Sequence, residues 1–154
     1  MVFSGDTRPC RSVADAAAGA DLLIHECFQS PSVAAKALGL PLETAVRVTK
    51  SGHTIPDQMG RILDLTKPRM AALWHLDVSP GVDGVLDEVG EHYGGAVAVC
   101  QDLTVFNVTA ETVHVRQAQV NDAPPPVHRP STTKPVVEPP LSPPGWWAEA
   151  LLDV

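Results

Sequence analysis

The amino-acid sequence predicts an α/β fold over residues 1–122. Short apolar runs with strand composition alternate there with segments that carry helix start and stop signals. Such alternation is typical of a sheet with some parallel pairing, covered by helices. The full chain has 154 residues, 44% of them hydrophobic, which is enough for one packed core.

The first elements of this body are predicted from local start and stop signals. Capping-box spacing followed by a glycine predicts a helix over 13–18, and the apolar run 21–24 predicts a buried strand. A serine–proline pair and a later glycine predict a second helix over 33–38. A further capping-box pattern begins at Thr54, and it precedes apolar residues that share one helical face.

The second half of the body continues the alternation. The run 70–74 is a strand candidate, and apolar residues between Val82 and Tyr93 follow helical spacing until two glycines end the pattern. Three β-rich pieces complete the body, at 96–99, 103–108 and 112–115. The last two resemble a hairpin across residues 109–111.

A proline-rich tail follows the body. Nine of the 15 prolines lie between positions 124 and 144, so residues 123–145 are predicted to form a disordered or polyproline-like linker. Residues 146–154 form a short terminal segment that begins with two tryptophans. Two helical turns there would place Trp147, Ala150 and Leu151 on one face, docking on the body or on another chain.

Composition narrows the function classes. The formal net charge of −7 argues against binding of nucleic acid through a broad basic surface, although a local basic patch is compatible with this net charge. Three cysteines without a CxxC pair indicate a reducing, cytoplasmic location and no disulfide partner. No apolar run approaches the length of about 20 residues that a membrane span needs.

Polar residues stand where three apolar strands stop. Asp6 follows the first strand, His25 and Glu26 follow the second, and His75 follows the strand 70–74. Ligands gather beyond the carboxyl ends of strands in open α/β sheets, and carboxylate with imidazole suits zinc or manganese. The alternative is a turn-forming aspartate and ordinary structural or surface histidines.

His53 lies in a loop just before a helix N-terminus. It could donate to an anion there, or it could be a solvent-exposed loop histidine. We expect Asp6, His25, Glu26, His53 and His75 to lie on one rim of the sheet. The other three histidines, at 92, 114 and 128, are given no role beyond surface or packing.

Four motifs stand in an order that resembles the C-terminal half of metallo-β-lactamase-fold hydrolases, specifically the ribonuclease Z and arylsulfatase-like branch. The motifs are Ser4-Gly5-Asp6-Thr7, Ala20-Asp21-Leu22-Leu23-Ile24-His25-Glu26, Gly52-His53-Thr54 and Leu73-Trp74-His75. The resemblance covers residues 1–116. It implies one half of an αββα sandwich whose complete site holds two metal ions, zinc or manganese.

The resemblance also implies a role for each site residue. Asp6 resembles the carboxylate that bridges both metals, and His75 resembles the last metal-binding histidine. His25 and Glu26 resemble the start of the His-Glu-Ala-Thr element of ribonuclease Z. His53 resembles the histidine that contacts the scissile phosphate or donates a proton, with Glu26 orienting it.

One family signature is absent. The His-x-His-x-Asp-His motif of the first half does not occur, so this chain supplies only Asp6 and His75 as metal ligands. Two metal ions need roughly four ligands each. The chain is therefore interpreted as a fragment, a truncated gene product, a degenerate paralogue, or a half-domain that pairs with a separately encoded or identical half.

These observations predict a metal-dependent hydrolase of phosphate or sulfate esters that is incomplete and inactive as this chain alone. The predicted substrate is a small ester or RNA, and metal binding by this chain is predicted to be partial or absent. Whether the chain is an enzyme stays open. The alternative is a non-catalytic remnant or interaction module that docks a partner through its C-terminal tryptophan segment.

Overall fold

The computed structural model of the chain describes residues 1–78, 81–119 and 150–152. Within them, helices and strands follow one another as β1 Val2–Phe3, α1 Arg11–Ala17, β2 Leu23–Glu26, α2 Pro31–Leu38, α3 Leu42–Gly52, α4 Pro56–Thr66, β3 Ala71–Trp74, α5 Asp83–Gly90, β4 Val97–Val99, β5 Thr104–Val108 and β6 Val113–Gln117. The predicted linker 123–145 and the tryptophan pair Trp146–Trp147 lie outside the described residues, so both stay predictions.

The first four strands form one sheet in the order β1-β2-β3-β4, and every pair in it is parallel. The α/β fold with parallel pairing is therefore confirmed. Parallel pairing brings all four carboxyl ends to one edge of the sheet, and register fixes their relative heights. Glu26 lies opposite Trp74 in that register, so the residues that follow β2 and β3 leave the sheet side by side.

Several element boundaries differ from the sequence-based expectation by one or two residues, and two of these shifts lie close to the predicted site residues. β2 begins and ends two residues later than the run 21–24, so His25 and Glu26 lie inside the strand instead of after it. α4 is capped one residue later than predicted, because the backbone N–H of Ile55 donates to the side chain of Gln58 at 3.3 Å. Both shifts are small in sequence, but the first decides which way two polar side chains point.

The main hydrophobic core lies between this sheet and the helices on one of its faces. Leu23 and Leu73 from the sheet pack against Met59, Ile62 and Leu63 of α4, and all five side chains are fully or almost fully buried. Each such burial contributes about 1.5–3 kcal/mol to folding. The core therefore fixes β2 and β3 under α4, and these are the strands that deliver Glu26 and His75.

The opposite face of the sheet carries a second apolar row. Phe3 and Trp74 stack there with ring centroids 5.4 Å apart, and Phe3 is 60% exposed. The indole N–H of Trp74 donates to the carbonyl of Ser4 at 3.0 Å, which holds β1 and β3 together across this face. The edge of the sheet next to Trp74 is therefore rigidly built.

Two further segments attach to this body. β5 and β6 form the predicted antiparallel hairpin, and Arg69 donates to the carbonyls of Thr109 and Ala110 at its tip. Leu151 forms an isolated antiparallel bridge with Cys10, so the end of the terminal segment contacts the body. The three cysteines are free thiols. Among the described helices, none has the length and apolarity needed to cross a bilayer.

Candidate metal centre at the carboxyl edge of the sheet

Four of the five predicted site residues meet at the carboxyl edge of the parallel sheet. Asp6 follows β1, Glu26 ends β2, His75 follows β3, and His53 directly follows α3. Asp6, His53 and His75 form the edge cluster. Each of the three offers one ligand atom, and these atoms lie within 4.8 Å of one another. This grouping agrees with the rim expected from the strand ends, except for His25.

Asp6 and His75 are in direct contact. The Oδ1 atom of Asp6 lies 3.1 Å from Nδ1 of His75, and both side chains are partly exposed. His75 adopts a left-handed backbone conformation with φ of 68°, which is uncommon for residues other than glycine. The Trp74 ring stacks against His75 with centroids 5.3 Å apart. The packing of the strand end therefore holds the backbone of His75 in an unfavourable conformation.

Glu26 lies directly behind the edge cluster and is fully buried. Its Oε1 accepts the backbone N–H of Thr54 at 2.6 Å, while its Oε2 lies 3.4 Å from Nδ1 of His53 and 3.9 Å from Nδ1 of His75. Burial raises the pKa of the Glu26 carboxyl to about 7; the Thr54 and Thr7 N–H groups act against this shift, and the charge of Asp6 adds to it. The carboxyl is therefore poised to hold or release a proton near neutral pH.

His53 is held by its neighbours on two sides. Its backbone N–H donates to the carbonyl of Thr49 at 3.0 Å as α3 ends, and its ring stacks on Phe28 with centroids 4.5 Å apart. Burial lowers the pKa of its imidazole, the charge of His75 lowers it further, and Asp6 opposes the shift. The neutral ring is therefore favoured at neutral pH, and the ring would have to take up a proton before it could act as an acid.

His25 is not brought to the edge cluster. Adjacent residues of a strand point to opposite faces, so His25 leaves the sheet on the side opposite Glu26. It is buried, its Nδ1 lies 2.7 Å from the carbonyl of Glu26, and its Nε2 is buried without a hydrogen-bond partner. Since a carbonyl only accepts, Nδ1 carries the proton. Burial lowers the pKa of this imidazole.

A second group of ligand-type side chains was not predicted from the sequence. Asp57, Glu91 and His92 form the helix cluster, at the point where the start of α4 meets the end of α5. His92 was expected to have only a surface or packing role. The two parts lie 34 residues apart, and only the packing of α4 against α5 joins them, so no local spacing signals the pair.

A cavity of about 670 Å³ opens beside His75, a volume typical of small-molecule sites. Its lining includes Trp74, His75, Leu76, Cys100 and Gln101. Cys100 follows β4 at the same edge of the sheet, and burial raises the pKa of its thiol. The thiol is therefore protonated at neutral pH, and Asp102 supplies the carboxyl group of this wall.

No protein-family model matches the chain. Similarity to curated proteins is found with ribonuclease Z of Myxococcus xanthus, 31% identical over 104 residues, which are 66% of this chain and 30% of that protein. Ribonuclease Z of Haloferax volcanii is 28% identical over 104 residues, covering 66% and 29%. Ribonuclease Z of Pseudomonas putida strain GB-1 is 28% identical over 116 residues, covering 70% and 33%. The chain spans about a third of the length of these relatives.

One similar solved structure is the metallo-beta-lactamase fold protein YhfI from Bacillus subtilis. It aligns with a TM-score of 0.49 at 23% identity, covering 64% of this chain and 35% of that protein.

The parallel sheet, its edge cluster and the sequence matches together describe an α/β protein that is similar to ribonuclease Z. The chain is ribonuclease Z-like over the matched residues. The resemblance to ribonuclease Z that the four motifs carry is thereby confirmed, and its arylsulfatase-like aspect stays a prediction.

Proposed function

We propose that this chain supplies one side of the active site of a metal-dependent phosphodiesterase acting on RNA. The observation that carries the proposal is the meeting of Asp6, Glu26, His53 and His75 at one sheet edge, in a chain similar to ribonuclease Z. Carboxylate oxygen and imidazole nitrogen are ligands that zinc and manganese accept. A divalent metal ion bound there would neutralise charge on the phosphoryl group.

Asp6 and His75 would hold the metal side of the site. Their ligand atoms are already 3.1 Å apart, and both side chains reach solvent from the strand ends. Two residues are too few for two metal ions, since each ion needs roughly four ligands. The remaining ligands would come from a complementary half-domain that pairs with this chain, and two zinc or manganese ions are the expected complement of that complete site.

His53 would transfer the proton to the leaving oxygen in that complete site. Glu26 lies on the Nδ1 side of the ring, so the opposite nitrogen, Nε2, is the atom available to the substrate. In the protonated ring, Nδ1–H donates to Glu26 and Nε2–H supplies the proton for the leaving oxygen, while Phe28 restricts rotation of the ring. Residues of this chain therefore orient the acid before any substrate binds.

His25 would act as a positioning residue for Glu26. The His25 imidazole bonds to the Glu26 carbonyl from the opposite face of the sheet, which stiffens the strand end at the point where the carboxylate leaves it. This contact replaces the direct catalytic role that the sequence motif suggested. The cavity beside His75 would accept the part of the substrate that flanks the scissile bond.

RNA is favoured over a sulfate ester or a small ester because the matched relatives are ribonucleases by name. The net charge of −7 gives this chain little electrostatic attraction for polyanions. The surface that binds RNA would therefore belong to the complementary half. A small phosphodiester would then reach the site of the complete protein without needing that surface.

A chimera tests the proposal. Residues 1–116 of this chain replace the matched third of Myxococcus xanthus ribonuclease Z, and hydrolysis of bis(p-nitrophenyl) phosphate and of a structured RNA is measured. We expect activity on both substrates. His53→Ala should lower kcat by about 10²- to 10⁴-fold, with metal content little changed. His114→Ala, an exposed histidine of β6, is the control. A folded, metal-loaded chimera with no phosphodiesterase activity would contradict the proposal.

A further inference from the structure

We propose that a small cavity beside Asp6 binds the phosphate group that neighbours the scissile one on the RNA strand, through the guanidinium of Arg8. The inference rests on the proposed function and deepens it, because it gives the substrate strand a direction across the site. Arg8 would contact a part of the substrate that does not react. It has no role in the edge cluster or in the proton transfer proposed above.

The first argument is where this cavity lies. It has a volume of about 180 Å³, and its lining includes Asp6, Arg8 and Leu151. The strand order β1-β2-β3-β4 puts Asp6, which follows β1, at one end of the edge cluster and Cys100, which follows β4, beyond the other end. Cys100 lines the larger cavity beside His75, so the two cavities flank the cluster on opposite sides. A linear polymer that crosses the cluster would therefore enter both.

The second argument is the difference in charge between the two cavities. Among the described residues, the lining of the cavity beside Asp6 includes Arg8, whereas the lining of the cavity beside His75 includes Asp102 and no arginine or lysine. Arg8 is exposed, and its side chain forms no ion pair within the described part of the chain. The guanidinium is therefore available for the paired N–H to oxygen bonds that arginine forms with phosphate. A metal ion held by Asp6 would offset the negative charge in the same cavity.

The third argument is that the backbone on both sides of Arg8 is fixed. The Thr54 hydroxyl donates to the carbonyl of Thr7 at 2.8 Å, and the Thr7 hydroxyl donates to the carbonyl of Arg8 at 2.8 Å. On the other side, the N–H of Leu152 donates to the carbonyl of Pro9 at 3.0 Å. Because the backbone is already held, binding a phosphate would order only the Arg8 side chain, which limits the entropy lost.

The size of the cavity favours one small group. Small-molecule sites usually have volumes of roughly 300–1,000 Å³, so a cavity of about 180 Å³ suits a phosphate better than a nucleoside. Arg8 is two residues from Asp6, and two residues span at most about 7 Å. The phosphate that Arg8 binds would therefore lie close to the reacting one along the strand. One arginine supplies one contact, so the wider RNA-binding surface still belongs to the complementary half.

The first experiment measures RNA binding without turnover. The Myxococcus xanthus chimera is built with all 154 residues, so that the C-terminal segment is kept, and it carries His53→Ala. The zinc-loaded protein is titrated into a fluorescently labelled structured RNA, and anisotropy gives Kd. Arg8→Gln should raise Kd about 10-fold, because it removes a charge-assisted contact. It should also reduce the slope of log Kd against log salt concentration by about 0.7 to 1.

The matched control is Arg47→Gln. Arg47 is an exposed arginine of α3 that belongs to the lining of neither cavity, and its replacement removes the same charge. Kd and the salt slope should stay close to those of the parent. Equal changes in Arg8→Gln and Arg47→Gln would overturn the proposal, and so would an unchanged Kd in Arg8→Gln or a parent chimera that binds no RNA.

A modified RNA identifies the phosphate that Arg8 contacts. The linkage cleaved by unmodified Myxococcus xanthus ribonuclease Z is mapped, and the phosphate on its 5′ side or on its 3′ side is replaced with a neutral methylphosphonate. One of the two replacements should raise Kd about 10-fold in the parent and change it little in Arg8→Gln, because both changes remove the same contact. Additive effects at both positions would contradict a contact between Arg8 and a neighbouring phosphate.

Kinetics separate this inference from the proposed function. In the chimera with His53 intact, the ratio of kcat/KM for RNA to kcat/KM for bis(p-nitrophenyl) phosphate should fall about 10-fold in Arg8→Gln, since the small substrate has no neighbouring phosphate. The ratio should stay unchanged in Arg47→Gln. A chimera that binds RNA through Arg8 but hydrolyses neither substrate would contradict only the proposed function. An active chimera whose RNA binding does not depend on Arg8 would contradict only this inference.

Discussion

Two groups of carboxylate and imidazole side chains in the described part of the chain could hold a metal ion, yet their surroundings differ. The edge cluster comes from three separate loops and has the buried Glu26 behind it. In the helix cluster, Asp57 already contacts Arg61 at 3.2 Å and His92 at 2.8 Å, and no buried acid supports its histidine. Ligand-type residues alone do not make a site, because the supporting contacts decide whether the donor atoms are available.

The largest expected effect tests whether the two clusters are structurally independent. A Cβ atom at Gly60 of α4 would lie 2.7 Å from the carbonyl of Val89 in α5, so Gly60→Ala should push these helices apart. We expect a loss of about 1–3 kcal/mol in the free energy of unfolding, measured with urea.

The matched control is Gly84→Ala in α5, where an added Cβ meets nothing within 4 Å. That variant should be neutral or more stable by up to about 1 kcal/mol, because alanine favours helix over glycine. Zinc affinity at the edge cluster should survive in both variants. Equal stabilities for Gly60→Ala and Gly84→Ala would contradict the close packing of α4 on α5.

The next effect concerns the acid behind the edge cluster. In Glu26→Gln, an amide NH₂ placed where Oε2 lies would donate to Nδ1 of His53, and the ring proton would move to Nε2. With Nδ1 accepting from the amide, the ring would stay neutral and would be a much weaker acid, so we expect kcat of the chimera to fall about 10- to 100-fold. Asp57→Asn, measured in the same phosphodiesterase assay, should change kcat little. A larger effect of Asp57→Asn would reverse the comparison between the clusters.

A third effect separates the two buried polar residues of β2 by pH. His25 has a lowered pKa, so its contribution to stability is present above its ordinary pKa near 6.5 and is lost as the pH falls through the lowered value. Glu26 has a raised pKa of about 7, so its contribution is present below its ordinary pKa of 4.5 and is lost as the pH rises through about 7.

Because these contributions oppose each other, the His25 effect is best measured in chelator with Glu26→Gln as the parent. Adding His25→Gln to that parent should reduce the stability lost between pH 7.5 and pH 5, by on the order of 1 kcal/mol. Urea unfolding at the two pH values gives the difference. Identical losses in the parent and in the double variant would show that His25 binds its proton equally well in the folded and unfolded chain.

The smallest effect concerns the ion pair that occupies the helix cluster. Arg61 and Asp57 are an exposed pair one helical turn apart, so Arg61→Ala should cost about 0.3–0.5 kcal/mol at low salt and less at high salt. Freeing Asp57 should also create weak zinc binding at the helix cluster. That binding should disappear when His92→Ala is added. Unchanged metal stoichiometry in Arg61→Ala would show that the pair does not limit this cluster.

The sequence predicts the fold well because its signals are local. Capping residues, glycine stops and apolar periodicity place the helices other than α3, and the strands, to within a few residues. It also predicts that Asp6, Glu26 and His75 share one edge, because parallel strands end together. These inferences need only the type of each element and the direction of each strand.

Other features of the site depend on contacts that no local pattern encodes. His25 was grouped with Glu26 because the strand was expected to end before both, and a two-residue shift puts them on opposite faces. The approach of His53 to Asp6 and His75 follows from where α3 ends, which the sequence does not fix. The helix cluster requires α4 to pack on α5 at Gly60, a tertiary contact.

The parallel register also bears on how quickly the site can form during folding. The segment that connects β2 to β3 contains α2, α3 and α4, and the segment that connects β1 to β2 contains α1. Both strand pairs therefore join residues that are far apart in the sequence. Closing such long loops costs entropy before any strand contact repays it, which slows folding. The edge-cluster side chains remain far apart in the disordered chain until those closures occur. In a refolding experiment, zinc would therefore be bound only after the late, non-local strand pairs have formed.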